Sequence, residues 1–320
     1  MRFNLRSTAI VAICLLFSLQ NAQGWNSIGH MTVAYAAYQQ LTPAQKARAA
    51  TLLALNPNYK KWLGYATKNA PHASAADQQM YVFMMAATWP DEIKANGSGY
   101  TEDGDSPPHT PEATSNVGYT DVKMHKYWHF VSTPFSTDGT ALPAVPTPNV
   151  ETEIVALRKD LASDEPDAVK SYDLVWLLHL TGDIHQPLHC ALRVSQADKR
   201  GDGGGNSVKI DVVPNDLHGY WDNLLGVGDT SGFLLAVKAG QALSPASATA
   251  AADLNVDDWE NESFTLAKSN VYMNPPIGAG LGPFTIGSNP GYAAASLKIA
   301  QTRVALAGAR LAGVLNAELK

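Results

Sequence analysis

Residues 166–189 read PDAVKSYDLVWLLHLTGDIHQPLH, and we place the centre of the predicted fold in this stretch. Its apolar residues, among them Val175, Trp176 and Leu180, are not confined to one face, which indicates a helix that is buried on all sides. A proline at Pro166 is typical of a first helical residue, so we predict a helix over 166–186. His179 and Asp183 lie four residues apart and therefore project from one face of this helix.

A metal ion could sit between His179 and Asp183, although an ion pair or a capped histidine would also explain an isolated pair of this kind. Pro187 bends or ends the helix, so His189 need not follow the same face and could serve a different ion. His218 and Asp222 repeat the four-residue spacing. Imidazole and carboxylate are the ligand mixture expected for zinc in hydrolytic sites.

Helical signals continue on both sides of this stretch. Asn26 or Ser27 caps a first helix whose apolar face runs to Leu41, and Thr42-Pro43-Ala44-Gln45 opens a second. Further helices are predicted from Ala75 past Met85, over 148–163, and as a long amphipathic helix that closes the chain from about Leu297.

The remaining segments predict loops and one strand. Segments rich in glycine, proline and serine occur at 96–120, 132–147, 199–206 and 274–291. Val208, Ile210 and Val212 alternate with polar residues, which predicts a strand over Asn206–Val213. The predicted fold is therefore mainly α, a single domain with a small β element.

The N-terminus has the pattern of a signal peptide. Arg2 and Arg6 precede an apolar run that ends at Leu19, and Ala22-Gln23-Gly24 supplies small residues for cleavage. We predict a signal peptide over 1–24, a catalytic domain over 25–320, and a secreted or periplasmic location. The apolar run falls short of the roughly 20 residues that a membrane span requires, so no span is predicted.

Composition limits the function classes. With Arg2 and Arg6 removed, 21 basic residues face 29 acidic ones, and the formal charge moves from −6 to −8. This balance argues against simple electrostatic capture of nucleic acid and suits a protein that holds several divalent cations. Cys190 is the sole cysteine after cleavage, so no intramolecular disulfide can form.

Trp25 would become the first residue after cleavage, with a free α-amino group whose ordinary pKa is about 7.7–8.0. A metal ion can displace the amine proton, and the nitrogen and carbonyl oxygen of one residue then form a five-membered chelate that His30 could join. The alternative is that Trp25 serves as an aromatic anchor for the new terminus.

The ordered set of these motifs resembles the S1/P1 nuclease family over essentially the whole of residues 25–320. The matching motifs are Trp25-Asn-Ser-Ile-Gly-His30, Trp89-Pro-Asp91-Glu, His129-Phe130, His179-x3-Asp183-x5-His189, Gly204-Gly205-Asn206 and His218-x3-Asp222. The resemblance implies the helical fold that these nucleases share with zinc phospholipase C. The absence of a possible disulfide favours a bacterial type of member.

The resemblance also implies three zinc ions, with Asp183 as a ligand shared by two of them. The implied ligand sets are Asp91, His129, His179 and Asp183 for one ion, Trp25, His30 and Asp183 for its neighbour, and His189, His218 and Asp222 for the third.

The activity implied is hydrolysis of single-stranded DNA and RNA to products with 5′ phosphates, together with 3′-nucleotidase action. We expect the protein to be a monomer. Asn206 would contact the substrate phosphate, and Phe130 would stack on a nucleobase. Lys94 stands where fungal members carry a phosphate-contacting arginine, so a point charge replaces a planar fork.

Two alternatives remain. A zinc phospholipase C shares the fold and the N-terminal tryptophan, but the short gap from Trp25 to His30 and the last ligand, Asp222, favour the nucleases. A zinc-storing or host-binding protein without turnover is the non-enzymatic hypothesis. The other histidines match no ligand position and are assigned no catalytic part: His72, His109, His125 and His185.

Overall fold

The computed structural model describes residues 24–110, 117–272 and 277–320, and most of them are helical. The helices are α1 Ser27–Gln40, α2 Pro43–Leu53, α3 Tyr59–Asn69, α4 Ala75–Ala86, α5 Trp89–Glu92, α6 Val150–Leu161, α7 Asp167–Asp183, α8 Leu217–Asp222, α9 Phe233–Gln241, α10 Ala248–Ala252, α11 Val256–Leu266 and α12 Pro290–Glu318. Two short strands, β1 Pro134–Ser136 and β2 Leu192–Val194, pair in parallel. This is the mainly α fold with a small β element that the sequence predicts. The predicted signal peptide lies outside the described residues except for Gly24.

Helix α7 lies at the centre of the molecule. Every residue from Lys170 to Asp183 is buried, and the helix contacts α1, α2, α5, α6 and α12. It is shorter than predicted at both ends: Pro166 is the N-cap, and the helix ends at Asp183 because the next residues form a turn into a 3-10 helix at Pro187–Cys190.

Side-chain caps set the start of several helices. Asn26 accepts hydrogen bonds from the N–H groups of Ile28 and Gly29 at 3.0 and 3.1 Å and so begins α1 where the sequence predicts. Asn149 forms a capping box with Thr152, so α6 begins at Val150 and the prediction that Pro148 lies inside this helix is wrong.

Helix α3 is not predicted by the sequence. Only Trp62 and Ala66 are buried along it, and the rest of its residues are largely polar, so the apolar periodicity is short. The closing helix α12 packs closely on α1, since a Cβ added at Gly308 would lie 2.5 Å from the Cβ of Ala36. Within the described part of the chain, no helix combines the length and the apolar character needed to cross a membrane.

The predicted strand over Asn206–Val213 is wrong, although the alternation correctly identifies its buried side chains. Val208 and Ile210 are buried, but the backbone forms only isolated bridges, from Lys209 to Asp216 and from Ile210 to Phe284. These partners lie in irregular segments, so no continuous ladder forms. The actual strands lie in a predicted loop and directly after the Pro187–Cys190 turn.

Helix α7 carries a buried carboxyl group that has no partner. Among the described residues, neither carboxylate oxygen of Asp173 has a hydrogen-bond partner. Burial raises the pKa of Asp173 to about 8, and the carboxylates of Asp160, Glu165 and Glu153 act in the same direction. The folded protein therefore keeps this proton at pH values where the unfolded chain, with an aspartate pKa of about 3.9, has released it.

We expect Asp173→Asn to stabilise the protein near pH 8 and to have little effect near pH 4. Unfolding releases the proton between the unfolded pKa of about 3.9 and the folded pKa of about 8, so the parent loses stability as pH rises through this window. The gain near pH 8 should be on the order of 5 kcal/mol, since a pKa difference of one corresponds to about 1.4 kcal/mol. Urea unfolding of both proteins across this range measures it, with the exposed Asp164→Asn as control. Equal stability of variant and parent near pH 8 would contradict this account.

Candidate metal centre

Side chains from four separate elements meet at the C-terminal end of α7. The helix itself supplies His179 and Asp183. Helix α1 carries His30, α5 carries Asp91, and a 3-10 turn carries His129. All of these side chains are buried. The structure thus brings together five of the residues that the sequence predicts as metal ligands.

Aromatic packing holds α5 and the 3-10 turn against α7. Trp89 of α5 packs edge-on against Tyr172 and Trp176 of α7, with ring centroids 5.9 and 6.1 Å apart. Trp128 of the turn packs against Trp176 of α7 with ring centroids 4.9 Å apart. The ligands that these two segments carry are therefore fixed by the core rather than by surface loops.

His129 and His179 converge on one oxygen of Asp183. Asp183 Oδ2 lies 3.0 Å from His129 Nδ1 and 3.1 Å from His179 Nε2, and these two nitrogens are 2.9 Å apart. Asp91 Oδ1 lies 3.6 Å from His179 Nε2 and 3.9 Å from His129 Nδ1. The four side chains surround a common point, as the ligands of one ion would.

The other oxygen of Asp183 faces His30. Asp183 Oδ1 lies 3.3 Å from His30 Nε2, and the His30 ring stacks on His179 with centroids 3.8 Å apart. Because its two oxygens point to different histidines, Asp183 has the arrangement of a carboxylate that bridges neighbouring cations.

Trp25 lies at the edge of the same centre. Its indole is fully buried, and a Cβ added at Gly29 would lie 2.5 Å from the Trp25 Cβ. A Cβ added at Gly24 would overlap the Asp183 carboxylate and lie 3.2 Å from His189 Cε1. The backbone that precedes Trp25 is therefore packed directly against the metal-ligand candidates.

A third group lies beside the first two. His189 Nε2 is 3.1 Å from His218 Nε2, and His218 Nε2 is 3.5 Å from Asp222 Oδ2. Gln186 donates a hydrogen bond of 2.7 Å to Asp222 Oδ1 and so orients this carboxylate. His189 Nδ1 lies 3.9 Å from Asp183 Oδ1, which shows how close this group is to the others.

Backbone carbonyl groups orient three of the imidazoles. The Nδ1 atoms of His179, His189 and His218 lie 2.8, 2.6 and 2.7 Å from the carbonyl oxygens of Ala87, His129 and Gly204 respectively. A ring that donates from Nδ1 presents Nε2 as a lone-pair ligand. The Nε2 atoms of these rings are the ones that face the clusters.

The surroundings of His30, His129 and Asp183 favour the protonation states that bind metal, whereas burial would lower the pKa of His179 but Asp183 and Asp91 raise it. Burial lowers the pKa of His30, and burial together with Lys94 lowers the pKa of His129 to about 3, so both rings are neutral near pH 7. Burial alone would raise the pKa of Asp183, but His179 and His189 hold it well below its usual range. Burial raises the pKa of Asp222, so a cation would displace a proton there.

The donor set fits divalent cations. His30 Nε2 and Asp183 Oδ1, which lie 3.3 Å apart, are buried without a hydrogen-bond partner among the described residues, and a coordinated ion would satisfy these atoms. In each of three groups the ligand atoms lie within 4.8 Å of one another: His30, His179 and Asp183; Asp91, His129 and His179; and His189, His218 and Asp222. Tetrahedral zinc with bonds of about 2.0–2.1 Å separates its ligands by roughly 3.3 Å, close to the observed spacings.

The predicted substrate residues line a cavity of about 290 Å³ next to these groups. Lys94, Phe130 and Asn206 all contribute to its walls, as do His189 and His218. Lys94 is buried, and its Nζ lies 2.5 Å from Asp91 Oδ1, so its charge is directed at a ligand candidate as well as at the cavity. Asn206 donates to the carbonyl oxygen of Gly203 at 2.6 Å.

Two residues important to the site received no role from the sequence. Gln186 orients Asp222, and its place one turn beyond Asp183 was the available signal. His125 is buried, and its Nε2 lies 2.7 Å from Asp121 Oδ2. Burial would lower the pKa of His125, but Asp103 and Asp121 raise it, so it acts as a packed ion-pair partner. No ligand role is assigned to either residue.

Comparisons with known proteins support a nuclease. The family model described as S1/P1 Nuclease matches residues 25–320. Endonuclease 2 of Arabidopsis thaliana is 25% identical over 320 residues, which covers 96% of this chain and 94% of that protein. Endonuclease 4 of the same plant is 29% identical over 180 residues, which covers 48% of this chain and 54% of that protein. The chain thus spans about half the length of one relative and nearly all of the other.

We expect Gln186→Ala to weaken metal binding at the His189, His218 and Asp222 group by about 10- to 100-fold, because Asp222 loses the donor that orients it. Titration of the metal-free protein with zinc, followed by competition with a chelator, measures the change. Binding at the Asp183 groups should stay within about threefold of the parent. A variant that binds every ion as the parent does would contradict the role given to Gln186.

Proposed function

The chain belongs to the S1/P1 nuclease family, and we propose that this endonuclease is a secreted zinc enzyme that cleaves single-stranded DNA and RNA to products with 5′ phosphates. It would also remove phosphate from 3′-nucleotides. The observation that carries the proposal is the set of three adjacent groups of buried histidines and aspartates beside a cavity lined by Phe130 and Asn206.

The proposed ligands are those that converge at the end of α7. One zinc ion would be held by Asp91, His129, His179 and Asp183, a second by Trp25, His30 and Asp183, and a third by His189, His218 and Asp222. When bound, zinc supplies Lewis-acid charge at the phosphate and lowers the pKa of water.

The chain's own residues would bind and orient the substrate. The Lys94 ammonium, which faces Asp91 and lines the cavity, would bind a phosphate oxygen, and Asn206 would donate its amide to another. Phe130, half-buried in the cavity wall, would stack on one base. A base in a duplex is not free to stack on a side chain, so this contact favours single strands.

Export and processing would complete the site. We propose that a peptidase cleaves before Trp25 and that the freed α-amino group then becomes a ligand. This is supported by the position of Gly24, whose backbone packs against Asp183, because residues before Trp25 would otherwise lie among the ligand atoms. The buried indole would hold the new terminus in position, so the anchor and ligand roles of Trp25 are compatible.

A substrate panel tests the proposed activity. The zinc-loaded protein beginning at Trp25 should cleave single-stranded DNA and RNA, act poorly on duplex DNA, and leave 5′ phosphates that a phosphatase can remove. Phosphatidylcholine tests the phospholipase alternative, and inactivity on every substrate by a fully zinc-loaded protein would favour the non-enzymatic one. Faster hydrolysis of phosphatidylcholine than of single-stranded DNA would overturn the nuclease proposal.

We expect Asp183→Asn to lose more bound zinc ions per chain than His218→Ala. Asp183 lies near His30 on one side and near His179 on the other, so it faces two of the proposed ions and its loss should remove about two ions per chain. His218 belongs to one group only. Activity should fall by about 10³-fold or more in the Asp183 variant. Elemental analysis of the purified proteins measures zinc, with the exposed His72→Ala as control. Equal zinc in the Asp183 variant and the parent would refute the bridging role.

We expect one additional residue before Trp25 to remove one zinc ion and most of the nuclease activity. The added peptide bond takes up the amine, and the residue itself would occupy the position where Gly24 meets Asp183. Zinc content and single-strand cleavage are compared between a protein that begins at Trp25 and one that begins with Gly24. Equal zinc and equal activity would reject the N-terminal ligand and leave the other ligand sets standing.

A further inference from the structure

A second cavity adjoins the one beside the metal centre, and the proposed catalytic residues leave most of it unused. Its volume is about 400 Å³. Phe130, Ser132 and Gly203 line both cavities, so the two spaces share a wall. The second cavity is of the size that small-ligand pockets have, about 300–1,000 Å³.

The lining of the second cavity combines apolar and cationic groups. Pro143, Pro146 and Leu192 contribute apolar surface. Lys199 and Arg200 line this cavity and not the first, and both are exposed. A nucleotide has the same division, with an apolar base face and an anionic phosphate.

The two cations have no structural partner among the residues that the structure describes. Neither Lys199 nor Arg200 forms a salt bridge there. The neighbouring Arg193 is different, because its guanidinium lies 3.4 Å from Asp202 and donates to the carbonyl oxygens of Gly278 and Gly280 at 2.8 Å. Arg193 therefore stabilises the packing of these loops, whereas Lys199 and Arg200 remain available to a ligand.

We propose that the second cavity binds a nucleotide that flanks the one at the metal centre, with Lys199 and Arg200 contacting its phosphate. The inference rests on the proposed function, since it assigns more of the same strand to the same cleft. It makes a single strand of several nucleotides a better substrate than a dinucleotide, because the one phosphate of a dinucleotide is the one that is cleaved and none remains for Lys199 and Arg200.

Asp105 defines where the strand can pass. Its exposed side chain lines both cavities, and its carboxylate repels a phosphate placed next to it. The flanking phosphate is therefore expected beside Lys199 and Arg200, which line only the second cavity, and not at the junction.

The test compares substrate length. Zinc-loaded parent protein and the double variant Lys199→Ala/Arg200→Ala are assayed on a thymidine dinucleotide and on a single-stranded thymidine 12-mer at several salt concentrations. For the variant we expect KM on the 12-mer to rise roughly 5- to 20-fold, with kcat and both dinucleotide constants within about twofold of the parent. The dependence of log KM on log salt should become shallower by about 0.7, since the variant loses one phosphate contact and each such contact on a single strand contributes about 0.7.

A matched control separates a local contact from a change in net charge. Lys68→Ala/Lys238→Ala removes two exposed lysines that line neither cavity, and it should leave both substrates unaffected. Equal loss on the dinucleotide and the 12-mer, or no loss on either, would overturn the flanking site. A parent that cleaves neither substrate would reject the proposed function itself, and this inference with it.

Discussion

The carboxylate of Asp183 is the group on which the rest of the site depends. One of its oxygens lies near His129 and His179, and the other faces His30, so ligand candidates from α1, α7 and the 3-10 turn meet at a single side chain. A buried carboxylate among imidazoles is stable only if its charge is compensated. In the described chain His179, His189 and a hydrogen bond with His129 provide part of that compensation, and bound cations would provide the remainder.

The hydrophobic core and the turn after α7 hold Asp183 in place. Helix α7 is buried along its last three turns, and the turn after it is tied to α12. Arg303 donates to the carbonyl oxygen of His185 at 3.3 Å, and Arg310 Nη1 lies 3.1 Å from His185 Nε2. Glu262 contacts both guanidinium groups at 2.6 and 2.7 Å, so the two buried arginines share one counter-ion. Rigid support of this kind keeps ligands near bonding geometry without a disulfide.

The sequence predicted which side chains lie close together better than it predicted the path of the chain around them. The spacing of His179-x3-Asp183 and His218-x3-Asp222 was enough to predict that each pair lies on one face of a helix. The other ligand candidates were identified from the family resemblance. Helix α3 and the true strands carry no such periodicity, because they are short or mostly polar and are held by tertiary contacts. The segment Asn206–Val213 has strand alternation but lacks a partner strand, and pairing is a property of two segments. Contacts such as Gln186 with Asp222 join residues whose proximity depends on the whole fold.

An acidic nuclease must bind a polyanion, and the distribution of charge explains how this one could do so. The formal charge of −6 for the whole chain gives no long-range attraction for DNA or RNA. The cations that line the first cavity, Lys94 and Lys126, are each paired with an acid, Asp91 and Glu102 respectively. Coulomb attraction to phosphate in the proposed enzyme is therefore confined to the cleft, where bound ions and lysines would lie close to the phosphate. Such short-range binding selects a flexible strand that can enter the cleft, because a rigid duplex would keep its phosphates on the repulsive outer surface.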